Sequence, residues 1–483
     1  MQIPYILQLI IPTIPLLVIA CTGNVPKIDV SPPYNSELLN PTKTQTTTTP
    51  NKPKISLTKT SDLELTEFIS SIPSTHFVKP VHFDPFPVNL QQKFKAAVDI
   101  EFASAPQKAG ISVAVYTDGT LWTYAKGNAD ENIAMSTETP LLIGSTSKTF
   151  LSAIVLGQIE NGNYNLTDSI GDLLREHPDF PSFPTDKINP EVTILELLTM
   201  SSGLADFSKN TVGKNESFKQ PSWNPSDSIN LVPSEYDPPG KFQYNDTNVV
   251  LLGLIAEFYS GKTLADLFRE TYFTPLNISA ITLPEEGIPW HSGIFNDPAS
   301  HLTVPNIAMP YTDLSAWSSG FGNMIKAAPF EFGYYIGAVG RLRYACCGIV
   351  STPANVAQWA YQLYSTNGSL LSTSTQAQLL MSFSDKRVPA WAGKNSDETY
   401  GYLSAKRTFH LYDGSRITAY GHPGGGGGYH SLMRYSPELD LSISILSNSE
   451  MKFRGSCGTE KLANCIAISL FSGYSESVQK LSP

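Results

Sequence analysis

Strand-like sequence stands at both ends of the apolar part of this chain and helix-like sequence fills the space between, which restricts the fold more than any single motif does. Near the beginning, GISVAVYTDGTLWTYAKG (110–127) reads as two strands joined at Asp118-Gly119, a strong hairpin signal. Near the end, RITAYGH, GYHSLMRYS and LDLSISILS read as three more, with a turn at Ser436-Pro437-Glu438. Helical patterns precede the first hairpin (LQQKFKAAVDIEFA) and follow the last strand, from about Lys461 to Phe471. They also dominate the middle, in VTILELLTM, TNVVLLGLIAEFYS, TLADLFRETYF and ANVAQWAYQLYS. Distant ends that supply strands to one sheet predict an α+β fold: an antiparallel sheet flanked by helices, built from both ends of the domain, with an inserted helical subdomain. A cleft where the two parts meet is the place to look for a site.

The stretch LLIGSTSKTFLSAIVLGQI (141–159) carries the first chemistry. Leu151, Ile154, Val155 and Ile159 recur at helical spacing, so Ser145 falls in the first turn of an amphipathic helix and Lys148 shares its face. Serine is inert at neutral pH unless a base stands beside it. A desolvated lysine has a lowered pKa, and the N–H groups of a helix N-terminus suit a developing oxyanion. An isolated SxxK is commonplace and by itself reads more simply as capping serines beside a solvated lysine. The phosphate-loop pattern needs glycine where Leu142 and Ser147 stand, and the nucleophile-elbow pattern needs it at Ile143 and Ser147, so neither applies.

With 483 residues, 41% of them hydrophobic, the chain has room for one large core or two. A net charge of -10 argues against nucleic acid as a partner. Residues 5–20, YILQLIIPTIPLLVIA, are apolar but broken by Pro12 and Pro15, and fall short of the roughly 20 residues a membrane span needs. They predict a signal peptide over 1–21, although no Lys or Arg precedes the run. LLVIAC resembles the lipobox of bacterial lipoproteins, which would make Cys21 the lipidated residue; the expectation is an exported protein held at the cell envelope by its lipid alone, with simple secretion as the alternative. Residues 22–87, rich in Thr, Pro and Lys, predict a flexible stalk, followed by a folded domain over 88–475 and a short tail over 476–483. Export permits disulfides among Cys346, Cys347, Cys457 and Cys465. Cys457 and Cys465 are best spaced for a local bridge, with connectivity left open. The eight histidines are scattered without HExxH, so no metal site is expected.

Two further stretches bear on chemistry. In KFQYNDTNVVLLGLIAEF, Tyr244 stands just before Asp246 and Thr247, good N-cap residues for the helix that follows. A tyrosine there can shuttle a proton if a nearby cation stabilises its phenolate, but alone it is more often a packed ring. In AYGHPGGGGGYHSLMRY, five glycines (Gly424 to Gly428) lie between strand patterns. They read either as a floppy loop or as a strand edge so close to a substrate that no Cβ fits, with N–H groups left for an oxyanion and His422 facing the same cleft.

Taken in order, Ser145-Thr-Ser-Lys148, Tyr244-Asn-Asp246 and His422-Pro-Gly424 resemble the SxxK, YxN and [KH]xG motifs of the serine β-lactamase and penicillin-binding superfamily. The resemblance is to the branch with class C β-lactamases, D-alanyl-D-alanine carboxypeptidases and related esterases. LLTMSSGL, YNDTNVVLLG and CCGIVSTPANVAQWA resemble flanking segments of that branch, and the likeness spans Gln92 to Ser449. It implies a serine hydrolase needing no cofactor or metal, acting on a small-molecule or peptide substrate, with oligomeric state unspecified. Ser145 would attack an ester or amide carbonyl to form an acyl-enzyme. Lys148 and Tyr244 would share proton transfer, and Tyr244 would help activate the deacylating water. The N–H groups of Ser145 and Gly425 would hold the oxyanion, while His422, beside Gly424, would polarise the site or hold a substrate carboxylate.

Two departures change the expectation. Asp246 replaces the family's asparagine; a carboxylate reaching Lys148 would favour the ammonium and move the base's work to Tyr244. His422 replaces lysine, and an imidazole with a reference pKa of about 6.5 is mostly neutral at pH 7. This favours a peptidase or esterase over a strong β-lactamase, the alternative being a penicillin-recognising or peptidoglycan-binding lipoprotein with little turnover. The stretch 285–343, rich in Pro, Gly and aromatics, is expected to shape the pocket. Sequons at Asn165, Asn215, Asn245, Asn277 and Asn367 matter only in a eukaryotic secretory pathway.

Overall fold

Along β2 (Gly110–Thr117), Ile111, Val113 and Val115 point to one apolar layer while Ala114 and Tyr116 point to another. That alternation builds a three-layer molecule, because a strand with two apolar sides must be covered on both. A computed structural model of the chain describes residues 83–479, except 106–108, 131–132, 211, 214–223, 283–343, 390, 392–396, 427, 450, 452–454 and 458–459. The expected signal peptide, Cys21, nearly all of the stalk, Asn215 and the 285–343 stretch therefore lie outside the described residues.

The principal sheet has the order β1-β3-β2-β12-β11-β10-β9-β8. Its N-terminal part is β1 (Asp84–Pro85), β2 and β3 (Thr120–Asp130), with β4 (Ile133–Ala134) paired to β3. A three-stranded sheet, β5 (Leu141–Leu142), β7 (Ile349–Ser351) and β6 (Ala280–Thr282) in the order β5-β7-β6, lies in the central region. The C-terminal strands are β8 (Glu398–Tyr400), β9 (Ala405–His410), β10 (Arg416–Gly426), β11 (Tyr429–Ser436) and β12 (Leu441–Ser447). Ser444 of β12 pairs with Ala114 of β2, so the two ends of the domain do meet in one sheet. All neighbouring pairs are antiparallel except β1 with β3, which is parallel. Asp118 and Gly119 turn the first hairpin with φ of 31° and 80°, the left-handed pair that a two-residue connection requires.

Helices α1 (Val88–Phe102) and α5 (Leu462–Gln479) cover one face, with Phe94, Val98, Ile466 and Leu470 buried against Val113, Val115 and Ile443. The other face meets α2 (Lys148–Glu160), α3 (Thr247–Ser260) and α4 (Pro353–Tyr364). Phe150 of α2 stacks on Trp359 of α4 at 3.8 Å, and the Trp359 indole N–H donates to Thr149 Oγ1 at 3.0 Å. Both residues following Lys148 are thus fixed to α4. The described structure extends a little before residue 88, where Asp84 pairs with Thr120 and Phe86, 4% exposed, packs edge-on against Phe94 and Tyr474, and past 475, where α5 runs to Gln479.

Two helical patterns end sooner than their apolar periodicity predicts. VTILELLTM forms a helix only over Ile194–Leu198, opened by a Thr193/Glu196 capping box and closed where Met200 turns left-handed. TLADLFRETYF is α-helical over Leu264–Phe268 and then widens to a π turn. Cys457 and Cys465 form a disulfide that joins the segment before α5 to its first turn. Among the described residues no helix is long and apolar enough to cross a membrane.

Candidate active site

Ser145 lies not in α2 itself but in the 3-10 turn Gly144–Ser147 that feeds it, between β5 and α2. Three hydroxyl contacts pin this turn to its surroundings. Thr146 Oγ1 donates to the His422 carbonyl at 3.0 Å, Ser431 Oγ donates to the Ile143 carbonyl at 2.6 Å, and Ser147 Oγ accepts from the Ile349 N–H at 3.1 Å. The turn is therefore fixed to β10, β11 and β7 together. Gly144 has φ of 53°, and a Cβ there would stand 2.9 Å from the Gly425 nitrogen. At Gly424 a Cβ would stand 2.0 Å from the Ile143 carbonyl oxygen and 2.3 Å from Ser431 Oγ. Of the two readings of the glycine run, a floppy loop or close approach to a substrate, neither holds for Gly424, which lies in β10 and makes its close approach to the serine turn. Gly425 is different, with nothing nearer than 3.8 Å to a Cβ, and it is exposed to the cleft.

Lys148 is fully buried, which rules out the solvated-lysine reading. Its Nζ donates to Ser145 Oγ at 3.0 Å and to the Cys346 carbonyl at 3.3 Å, and it lies 2.9 Å from Asp246 Oδ1. Burial by itself would lower the lysine pKa, but the Asp246 carboxylate is the leading opposing charge and the balance lies well above the ordinary value. Asp246 holds the N-cap position of α3 without capping it; Asn245 Oδ1 takes that role by accepting from the Asn248 N–H at 3.0 Å. The expected cap at Asp246 fails because its carboxylate is engaged by Lys148. Asp206 is beside it, accepting from the Asp246 N–H at 3.4 Å, and burial followed by the Asp246 charge raises the Asp206 pKa.

Tyr244 faces the same ammonium, with Lys148 Nζ 5.1 Å from the ring centre. Its hydroxyl oxygen is buried, and the Lys148 side chain is close enough to hydrogen-bond with it. Burial lifts its pKa above the ordinary tyrosine value, and the Lys148 charge only partly offsets this. Lysine and tyrosine are thus both protonated at neutral pH, so the transfer of the base's work to Tyr244 is not achieved in the resting site.

His422 reaches the cleft as expected, its ring 6.0 Å from that of Tyr244, but it is 1% exposed. Its Nδ1–H donates to the Pro423 carbonyl at 2.5 Å and its Nε2 accepts from the Tyr400 hydroxyl at 3.1 Å. Burial, then the Lys148 charge, pushes its pKa down to about 3. A neutral ring with both nitrogens occupied cannot hold a substrate carboxylate by charge, which corrects that part of the expectation and leaves a supporting role.

Ser145, Tyr244, His422, Gly424 and Gly425 line one cavity of about 390 Å³. Sequence reasoning missed Trp391, which also lines it and packs edge-on to Tyr244 at 4.8 Å. The Trp391 indole N–H reaches Glu398 Oε1 at 3.4 Å, and Arg434 donates to the same oxygen at 2.6 Å. Burial would raise the Glu398 pKa, but Arg434 and Arg407 hold it below the usual value. Sequence named Cys346 and Cys347 without a role; Cys347 Sγ is 3.6 Å from Ser145 Oγ and 3.7 Å from Lys148 Nζ. Asp246, Cys346 and Cys347 offer three metal-ligand atoms within 4.8 Å of one another. The Lys148 ammonium already supplies the positive charge that this group faces.

Residues 90–462 match the family described as Beta-lactamase. The chain belongs to the beta-lactamase family. Within it, the chain is 25% identical over 348 residues to "Penicillin-binding protein 4" of Amycolatopsis lactamdurans, covering 70% of this chain and 80% of that one. It is 27% identical over 199 residues to a "Putative D-alanyl-D-alanine carboxypeptidase" of Salmonella agona, covering 39% and 42%. Among solved structures, the D-amino acid amidase from Ochrobactrum anthropi SV3 superposes with a TM-score of 0.60 at 18% identity, over 82% of this chain and 100% of that one. Family, fold and neighbours agree with the resemblance read from the three motifs, and the chain is a serine hydrolase of the beta-lactamase family.

Proposed function

We propose that Ser145 is the nucleophile and that the chain cleaves small amides or peptides, with D-amino acid derivatives as the first class to test. The observation that carries this is the 3.0 Å contact of Lys148 Nζ with Ser145 Oγ at the floor of a cavity that Tyr244, His422 and Gly425 also line. In this reading the substrate carbonyl oxygen lies between the N–H groups of Ser145 and Gly425, and Ser145 Oγ attacks the carbonyl carbon. The serine proton passes to Lys148 once that amine has lost its own, and the Tyr244 hydroxyl, buried beside Lys148, donates to the leaving group. Support for a D-amino acid substrate comes from what the relatives are called, a D-alanyl-D-alanine carboxypeptidase and a D-amino acid amidase. The neutral His422 favours this over strong β-lactam hydrolysis.

The same site supports a second reading, a penicillin-recognising protein with little turnover, because the Asp246 carboxylate keeps Lys148 charged and Tyr244 stays protonated. For location, an export signal with lipidation at Cys21 is proposed from residues 1–21, and the Cys457–Cys465 disulfide suits an oxidising compartment. A labelled fluorophosphonate and a labelled penicillin, followed by a panel of p-nitrophenyl esters, a D-Ala-D-Ala peptide, a D-amino acid amide and nitrocefin, separate the readings. Labelling by either probe that is lost in Ser145→Ala, together with turnover of a substrate in the panel, supports the hydrolase. A penicillin label that never leaves, with no turnover of any substrate in the panel, supports the binder, and labelling that survives Ser145→Ala refutes Ser145 as nucleophile.

A further inference from the structure

Directly behind the serine, the chain places two adjacent cysteines whose sulfurs are 2.9 Å apart. They are thiols, and both are buried. Their surroundings tie them to the reacting groups twice over. Cys347 Sγ touches Ser145 Oγ at 3.6 Å and Lys148 Nζ at 3.7 Å. The carbonyl of the peptide that joins the two cysteines, Cys346 C=O, accepts from Lys148 Nζ at 3.3 Å. Nothing in the acylation chemistry uses either sulfur. Packing alone asks only for small apolar side chains at these positions, so a touching pair of thiols against a nucleophile is an unspent chemical capability.

We infer that Cys346 and Cys347 form an oxidation site, closing into a vicinal disulfide that switches Ser145 off, an inference that rests on the reading of Ser145 as nucleophile. The co-reactant is a peroxide, which enters by the cavity that reaches Ser145 and then has to pass the serine to meet Cys347 Sγ, 3.6 Å from Ser145 Oγ. The Cys347 sulfur attacks one peroxide oxygen, the O–O bond breaks, and a sulfenic acid and one water form. The Cys346 thiol then attacks that sulfur; the S–O bond breaks and a second water leaves, so two thiols and one hydrogen peroxide become one disulfide and two waters. A disulfide needs sulfurs about 2.05 Å apart, so the pair must close by about 0.9 Å from where it stands. That closure disturbs the contacts of Cys347 Sγ with Ser145 and Lys148 and twists the peptide whose carbonyl steadies the lysine. Consecutive Cα atoms are about 3.8 Å apart, nearer than the roughly 4.4 Å minimum usual for a disulfide, so the ring is strained and readily reduced. That reversibility suits a switch better than a structural bridge.

The test uses the full chain and reads the disulfide and the serine separately. Protein is treated with hydrogen peroxide, the peroxide is removed with catalase, and fluorophosphonate labelling of Ser145 is timed before and after a dithiol. In parallel, peptide mass mapping examines the segment holding Cys346 and Cys347. The expected result is a loss of two hydrogens from that segment, with a fall in labelling rate of about 100-fold, the scale of a misplacement near 1 Å in a catalytic group, restored by the dithiol. Cys346→Ala, compared only with its own untreated rate, forms no disulfide in that segment and shows no dithiol-reversible loss that tracks one. Retained thiols under peroxide, or a disulfide with undiminished labelling, overturns the inference. If untreated protein is never labelled, the reading of Ser145 fails, while the mass map still decides whether the disulfide forms.

Discussion

Replacing Asp246 with asparagine removes one charge from the site and little else, and its effect can be sized from the geometry. The Lys148 and Asp246 side chains are 0% and 10% exposed and 2.9 Å apart, so solvent screens them weakly. At an effective dielectric of about 20, unit charges at that distance attract by about 6 kcal/mol. Desolvation of the ammonium opposes this in wild type and variant alike, so the surplus is a lower bound on what removing the carboxylate releases. Because about 1.4 kcal/mol is a tenfold change in the ratio of protonated to free amine, a surplus of only a quarter of the gross attraction leaves about tenfold less free amine at a given pH. If Lys148 must be unprotonated to take the serine proton, a raised pKa places the acid limb of the rate profile at high pH, and removing the carboxylate moves that limb to lower pH. Asp246→Asn is therefore expected to speed fluorophosphonate labelling near neutral pH by about tenfold or more. The assay is the second-order labelling rate of Ser145 between about pH 5 and pH 10, with thermal unfolding recorded at each pH to confirm that both proteins stay folded. An unchanged profile refutes the claim that Asp246 sets the state of Lys148. A slower variant refutes it differently, by showing that the carboxylate is needed to receive the lysine's proton.

Gly424→Ala and Gly425→Ala should part company although they are neighbours: the first drives a methyl into the Ile143 carbonyl and costs about 1–3 kcal/mol in denaturant unfolding, while the second keeps native stability and slows labelling by crowding the cavity. Glu398→Gln leaves the 1%-exposed Arg434 guanidinium without its carboxylate and should cost about 3–5 kcal/mol in the same assay. His422 gives a pH signature. Its folded pKa of about 3 lies below the unfolded value of about 6.5, so between them the unfolded chain binds a proton that the native ring refuses. This contribution is intact above about pH 6.5 and is lost as pH falls toward 3, by a few kcal/mol at most, and the difference in unfolding free energy between wild type and His422→Gln should narrow over that window.

The parts of this protein that could be read in the sequence are those set by local repetition. The two-residue period of GISVAVYT and LDLSISILS specifies strands whose neighbours then follow, because unpaired edges at the two ends of the domain are satisfied by each other. Ser145, Lys148, Tyr244 and His422 were legible because three short motifs in the right order carry more information than any of them alone. What could not be read depends on atoms brought together from distant segments. No pattern near Asp246 reveals that its carboxylate abandons the helix cap for Lys148, since capping is the locally better use of an aspartate. Nor does the spelling around His422 disclose that Tyr400, from another strand, and the next residue's carbonyl occupy both ring nitrogens. The glycine run shows the same limit in reverse: a Cβ is excluded at Gly424, but by the chain's own Ile143 carbonyl. Motif spelling therefore identifies which groups meet, whereas their protonation is decided by partners that the motifs do not contain. In this chain the partners leave every motif-borne base candidate protonated or occupied at neutral pH, so pH dependence is the property on which the assignment of roles turns.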